Sequence, residues 1–370
     1  MKRVSVCLAA FLAISTANAI DAPLAQIHTA VTDDSVSITL TWSQVPDAYG
    51  YSIYGMSEPY GVGDLLARVA SNQYFYVVAE SVEMINIPSG TFTMGQSGVA
   101  TPEHEVTLSH DYLLGRYEVT NQEFLQAVQW AYDNGHVTAD ANSVEAYGTP
   151  LLSMDNNYCE ISFADGVFNI LMLTFDTGSF GPGYAYPDGY DPSDHPVKMV
   201  SWYGAACYCD WLSMMSGFPP FYEGIWSQNA AHDPYTALGY RLPTEAEWEH
   251  AARFNDGRTY PWGEASPTTA YANSDLSFGW STPAGSYPLG ASQLGLMDMA
   301  GNMSEWVGDE FDAYESSPQI NPYGGSGEYQ RILRGGNYAF PTVYLPCANR
   351  YVDNPYGGTD FYGFRVCRVE

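Results

Sequence analysis

Residues 239–253 read GYRLPTEAEWEHAAR, and the fold turns on them. Thr244 is followed three positions later by Glu247. That is the spacing of a capping box, in which hydroxyl and carboxylate each satisfy a backbone N–H at a helix start. Trp248 and Ala252, one turn apart, share a face of the short helix that this box opens. Thr120-Asn-Gln-Glu123 repeats the box and opens NQEFLQAVQWA, with Phe124, Val128 and Ala131 on one face. Ser201 is placed to cap a third helix, WYGAACYCDWLSMM. Between these starts Gly, Pro, Trp and Tyr recur and loops dominate. The pattern marks three amphipathic helices set in a loop-rich domain.

Working outward, the composition sets limits. The chain has 370 residues, 46% of them hydrophobic, so a sizeable core can form. Aromatics reach 15%, which argues against intrinsic disorder. There are 42 acidic against 13 basic side chains, a formal charge of −29. That balance argues against nucleic acid, because a phosphate backbone needs Lys and Arg to displace its counterions. It also argues against an anionic membrane surface.

Lys2 and Arg3, the apolar run over 4–15 and Ala17-Asn18-Ala19 read as a cleaved signal peptide over 1–19. The expected localisation is secreted or periplasmic, with no membrane insertion. Residues 21–82 carry short β-rich runs at 35–42, 51–54 and 74–78. With Trp42 as core tryptophan, they resemble a fibronectin type III domain, at about 60 residues shorter than the roughly 100 of an immunoglobulin-like sandwich. Residues 83–370 form the main domain.

Removing Cys7 with the signal leaves Cys159, Cys207, Cys209, Cys347 and Cys367. Five is odd, so one thiol is expected to stay free or to link a partner chain in an oligomer. Neither an HExxH signature nor a Walker phosphate loop occurs. His104, His110, His195 and His250 are spread across the chain without ligand spacing.

A further series of motifs runs in order along the main domain: MINIPSGTFTMG (84–95), HEVTLSHDYLLGRYEVTNQEF (104–124), HPVKMVSWYGAACYCDWLS (195–213), YPWGE (260–264), YANSD (271–275), LGLMDMAGNMSEW (294–306), RILRGGNYAF (331–340), CANR (347–350) and GFRVCR (363–368). With 239–253 in its place, the series resembles the formylglycine-generating enzyme, or sulfatase-modifying factor, family. The resemblance implies a C-type-lectin-like α+β fold.

The enzymes of that family use a copper-binding cysteine pair shortly after the RGG motif, and soft thiolates suit Cu(I). Here the corresponding positions fall on Phe340 and around Tyr344, while Cys347 matches a structural cysteine. Asn337 stands where the family has serine, and Ser304 where it has tryptophan. Copper is therefore not expected, nor is formylglycine-generating activity. The resemblance also implies a Cys209–Cys367 disulfide. It implies calcium bound by the Asp298 and Glu305 side chains and the Gly301 and Met303 carbonyls, with Asn273 at a second site. Hard Ca²⁺ favours such oxygen donors. The competing reading is that Asp298 and Glu305 cap backbone or pair with Arg334 or Arg365.

The stretch 337–362 is dense in Tyr, Phe and Asn, side chains that supply large contact area at low entropy cost. In the implied fold it lines the ligand face, and it is similar to the variable region of proteins diversified by retroelements. Asn337, Tyr338, Phe340, Tyr344, Asn349, Tyr351, Tyr356 and Phe361 are the expected binding residues. The expected function is a catalytically silent, exported protein that binds a protein or glycan. The alternatives are a divergent metal-dependent oxidase, the one reading under which iron is expected, and a structural part of an extracellular or envelope assembly.

Overall fold

The structure, a computed structural model, describes residues 82–172, 190–224, 233–325 and 330–370, plus the backbone of five short strands between residues 11 and 69. The chain divides into two compact units, Met1–Ser81 and Val82–Glu370. The signal peptide and most of the fibronectin type III-like segment lie outside the residues described in full, and the fibronectin reading is not supported.

In the second unit, β1 (Met84–Ile87) and β4 (Tyr112–Gly115) pair antiparallel, and the last strand, β15 (Cys367–Val369), adds to the free edge of β4. The two ends of the domain are thereby stitched into one sheet. β2 (Gly90–Gln96) and β3 (Ala100–Leu108) form a hairpin that β11 (Gln319–Ile320) extends in parallel. A small meander of β5 (Thr138–Ala139), β6 (Ser143–Ala146) and β7 (Thr149–Ser153) follows α1 (Asn121–Asp133). β8 (Ile161–Ala164) and β9 (Val167–Ile170) make a separate hairpin.

The central sheet has the order β13 (Arg350–Asp353), β12 (Arg331–Arg334), β10 (Ser304–Glu310), β14 (Tyr362–Phe364). Only β10 and β14 run parallel. α2 (Trp202–Met215) and α3 (Glu245–Arg253) complete the regular elements that matter for the site. This mixed α+β architecture with few helices agrees with the sequence reading.

All three helix starts lie where the caps predict. The Thr120 and Thr244 side chains accept from the Glu123 and Glu247 amides, and both boxes close reciprocally. Ser201 accepts from the Gly204 amide. Each such cap is worth about 1 kcal/mol.

Phe124, buried by α1, stacks on Tyr208 of α2 at 5.7 Å and meets Phe364 of β14 edge-on at 6.4 Å. A second core lies around Trp248, with Ile87, Leu114, Met299, Val307 and Ile332. No helix among the described residues is long and apolar enough to cross a membrane.

Candidate functional site

α3 spends its glutamates inside the protein. Glu247 makes a bidentate pair with Arg241, both contacts at 2.7 Å, with neither side chain exposed. Glu249 meets Arg334 at 2.6 Å and Arg253 at 2.9 Å. Glu245 holds Arg334 at 3.0 Å and Arg350 at 2.6 Å. A helix that reads as charged is therefore wholly buried, because three arginines from the surrounding strands and loops reach it and a fourth, Arg253, pairs within its own last turn. Beside it, burial and the Glu245 charge push the Asp309 carboxyl up to about 7, although two backbone amides donate to it. Six of the 13 basic residues, Lys198, Arg241, Arg253, Arg331, Arg334 and Arg365, are buried. Among the described residues ten carboxylates are buried as well, so the large acidic excess of the chain lies mostly outside this buried set.

The 298–305 turn carries the residues expected to hold calcium, and their geometry favours internal pairing. Glu305 receives Arg365 at 2.6 and 2.7 Å and the Trp248 indole at 2.8 Å. Asp298 accepts from the Gly285 amide at 2.5 Å. Burial pushes its carboxyl up to about 6. The competing reading, with Arg365 as partner, is thus the one realised at Glu305. Physically, a fully desolvated carboxylate takes the nearest cation, and a guanidinium is already built in.

Asn273, expected at a separate site, packs on the same turn. Its carbonyl accepts from the Asn302 amide at 2.9 Å, and a Cβ on Gly301, whose φ is +83°, would sit 2.4 Å from that oxygen. Its side-chain Oδ1 is buried without a partner. Glu118 was not singled out from the sequence, yet it closes this cluster by accepting from the Met303 amide and the Asn302 side chain at 2.9 and 2.7 Å. Burial, with Asp298 and Glu305 nearby, raises its carboxyl well above the usual range. Among the described residues no group of three or more His, Cys, Asp or Glu is arranged to hold a metal ion.

The C-terminal segment splits into two kinds of residue. Asn337 is buried, and its Oδ1 accepts from the Ala339 and Phe340 amides at 3.0 Å each. Its amide donates to Ser304 Oγ at 3.0 Å, so the two positions that depart from the family pattern touch each other. Tyr338 is buried with its hydroxyl on Asp360 at 2.8 Å, and Phe361 packs against Tyr338 at 5.4 Å. These three are framework rather than ligand contacts, because the chain turns inward after Gly335 and Gly336, whose φ values are +90° and +70°. Asn349 is half-buried, its amide bonded to Pro346 O at 2.8 Å.

The outward set is smaller. Phe340 lies 5.0 Å from Tyr344 and 5.7 Å from Tyr351, ring to ring, at interplanar angles of 47° and 75°. Tyr344 and Tyr351 are 39% and 38% exposed. Tyr356, 53% exposed, leans instead on Tyr203 of α2. The Asp275 backbone amide donates to Phe340 O, and the Asp353 carboxylate accepts from the hydroxyl of Tyr362, the neighbour of Tyr351.

All five described cysteines are buried free thiols, and the Cys209–Cys367 disulfide is not formed. Cys367 Sγ instead faces Glu247 Oε2 at 3.8 Å. Burial pushes the Cys159 thiol up to about 12 and raises the other four as well. A link between chains through an unpaired cysteine would therefore require the fold to open. The four histidines sit apart, each against its own ring: His104 on Tyr314, His110 on Tyr235, His195 on Tyr190 and His250 on Phe92.

Residues 76–369 match the sulfatase-modifying factor enzyme 1-like domain. The serine/threonine-protein kinase Pkn1 of Chlamydia trachomatis is 32% identical over 297 residues, covering 77% of this chain and 38% of that protein. This chain thus spans well under half the length of that relative. The formylglycine-generating enzyme of Bos taurus is 28% identical over 313 residues, covering 76% of this chain and 74% of the enzyme. A hercynine oxygenase of Mycolicibacterium thermoresistibile is 31% identical over 213 residues, covering 52% of this chain and 42% of the enzyme. Among solved structures, Treponema denticola variable protein 1 shares the fold with a TM-score of 0.54 at 24% identity, over 78% of this chain and 95% of that one. From the domain match and the order of its motifs, the chain belongs to the sulfatase-modifying factor, or formylglycine-generating enzyme-like, family.

Proposed function

We propose that the chain is an exported, non-catalytic member of its family whose Phe340–Tyr344–Tyr351 cluster receives a basic segment of a protein partner. The observation that carries this reading is the aromatic cluster of half-buried Phe340 with exposed Tyr344 and Tyr351, the first two lying where the resemblance sets the enzymes' reactive cysteines. Three rings at 47° and 75° make a cup with no common plane. A sugar ring stacks on one flat face, whereas a cup of ring faces suits a lysine or arginine head through cation–π attraction. Charge complementarity points the same way, because the chain carries −29 and keeps a large acidic excess when its buried cations and buried carboxylates are both set aside. Buried thiols with raised pKa values support the non-catalytic part, since the thiolate is the metal ligand and nucleophile.

Peptide and glycan arrays probed side by side test the reading. Lys/Arg-containing peptides should be retained, with retention falling as salt rises. Retention on glycans alone, or on acidic peptides, would defeat it.

A second reading, a metal-dependent oxidase, is favoured by the identity to hercynine oxygenase. Stoichiometric iron or copper in the purified protein would replace the binding reading with that one. Calcium stays a proposal, on Asp298 and the Gly301 and Met303 carbonyls. Glu305 already carries Arg365, so a cation there would be held weakly.

A further inference from the structure

Away from the aromatic cluster, a lysine, a glutamate and an asparagine are sealed together in the interior. Lys198 is 2% exposed, Glu160 1% and Asn121 1%. Glu160 stands between the other two. Lys198 Nζ lies 2.7 Å from its Oε1, and Asn121 Nδ2 donates to its Oε2 at 2.8 Å. Asn121 Nδ2 also donates to Pro192 O at 2.9 Å, which fixes which end of the amide is nitrogen.

The other end, Asn121 Oδ1, is buried with no hydrogen-bond partner, an uncommon condition for an interior acceptor. The backbone around the group is rigidly held. Thr120 bridges Pro196, the Asn121 amide donates to His195 O at 2.8 Å, and the Val197 amide donates to Val119 O at 2.9 Å. A nucleophile and an amide electrophile thus contact the two oxygens of one buried proton carrier.

We propose that Lys198 and Asn121 join in an intramolecular isopeptide bond, with Glu160 moving the protons. The Lys198 ammonium first passes a proton to Glu160, whose Oε1 lies 2.7 Å from Nζ. The free amine adds to Asn121 Cγ. Protonated Glu160 faces the leaving nitrogen, because its Oε2 lies 2.8 Å from Asn121 Nδ2. As the Nζ–Cγ bond forms, the Cγ–Nδ2 bond breaks. Nδ2 leaves as ammonia with the proton from Glu160, which takes the surplus proton from Nζ. The products are one secondary amide, one ammonia and a neutral Glu160, and no oxidant or cofactor takes part. Holding the three groups at fixed separation supplies the orientation such an uphill attack needs.

Peptide mapping and intact-mass measurement of the purified full-length chain test the proposal. The expected result is a loss of about 17 Da, the mass of one ammonia, with a branched peptide joining Asn121 to Lys198. Lys198→Arg and Glu160→Gln should each restore the linear mass. Asn121→Asp should keep the bond but release water, so the loss becomes about 18 Da from its own sequence mass. Recovery of wild-type Lys198 in a linear peptide, with its amine open to acetylation after denaturation, overturns the proposal. That measurement uses the wild-type chain, so a variant that fails to fold does not obscure it.

Discussion

Two regions a few residues apart in sequence use their side chains in opposite ways. Around α3, charged residues are buried, paired and mutually fixed: Arg334 reaches Glu245 and Glu249 from the last residue of β12. Six residues later the chain half-buries Phe340 and then exposes Tyr344 and Tyr351, rings that pack on one another, with Tyr351 also meeting Tyr362. The interior holds charge and the surface holds apolar rings, the reverse of the usual partition. What makes the inversion tolerable is pairing on one side and, in our reading, a partner on the other. A buried ion pair sets geometry more than it adds stability. An exposed aromatic cluster contributes little to folding and is free to serve binding.

The largest expected effect breaks the buried side. Arg334→Met leaves Glu245 and Glu249 short of a partner, and should cost about 3–5 kcal/mol or abolish folding, read by urea unfolding. The exposed side should behave oppositely. Tyr344→Ala with Tyr351→Ala should weaken binding to the retained basic peptides by about tenfold or more, with Tm nearly unchanged. A large fall in Tm would move both rings into the core and end the contrast.

A smaller effect sharpens the buried side by pH. Asp309 titrates at about 7 in the folded protein and near 3.8 unfolded. Between those values the folded state binds the extra proton, so wild-type stability falls as pH rises through that window. Asp309→Asn removes this loss. Its Tm should gain on wild type from about pH 4 to pH 7, with the gap constant above, checked by calorimetry at each pH. The smallest effect concerns the turn shared by both regions. EDTA should shift Tm by less than about 2 °C, because Arg365 already neutralises Glu305. A larger, calcium-reversible shift would show that a cation outcompetes the guanidinium.

Much of the frame was legible from residues alone. The boxes at Thr120 and Thr244 and the cap at Ser201 are local rules, satisfied within four residues, and all three hold. The candidate site was legible only in part. Eight residues of 337–361 read alike as polar-aromatic, yet Asn337, Tyr338 and Phe361 turn inward while Phe340, Tyr344 and Tyr351 gather outside. Side-chain type does not reveal which way a loop faces when no period of 2 or 3.6 runs through it. Glu118 was overlooked for a similar reason: its partners Asn302 and Met303 lie more than 180 residues away.

The sequence by itself determined the family and the helix starts, because each is written in short-range pattern or in residue identity. Tertiary structure alone decided that the α3 glutamates face arginines, that Asn337 meets Ser304, and that Lys198, Glu160 and Asn121 share one enclosure. Those outcomes depend on contacts between distant segments in a low-dielectric interior, where a charge must find its partner or go unformed.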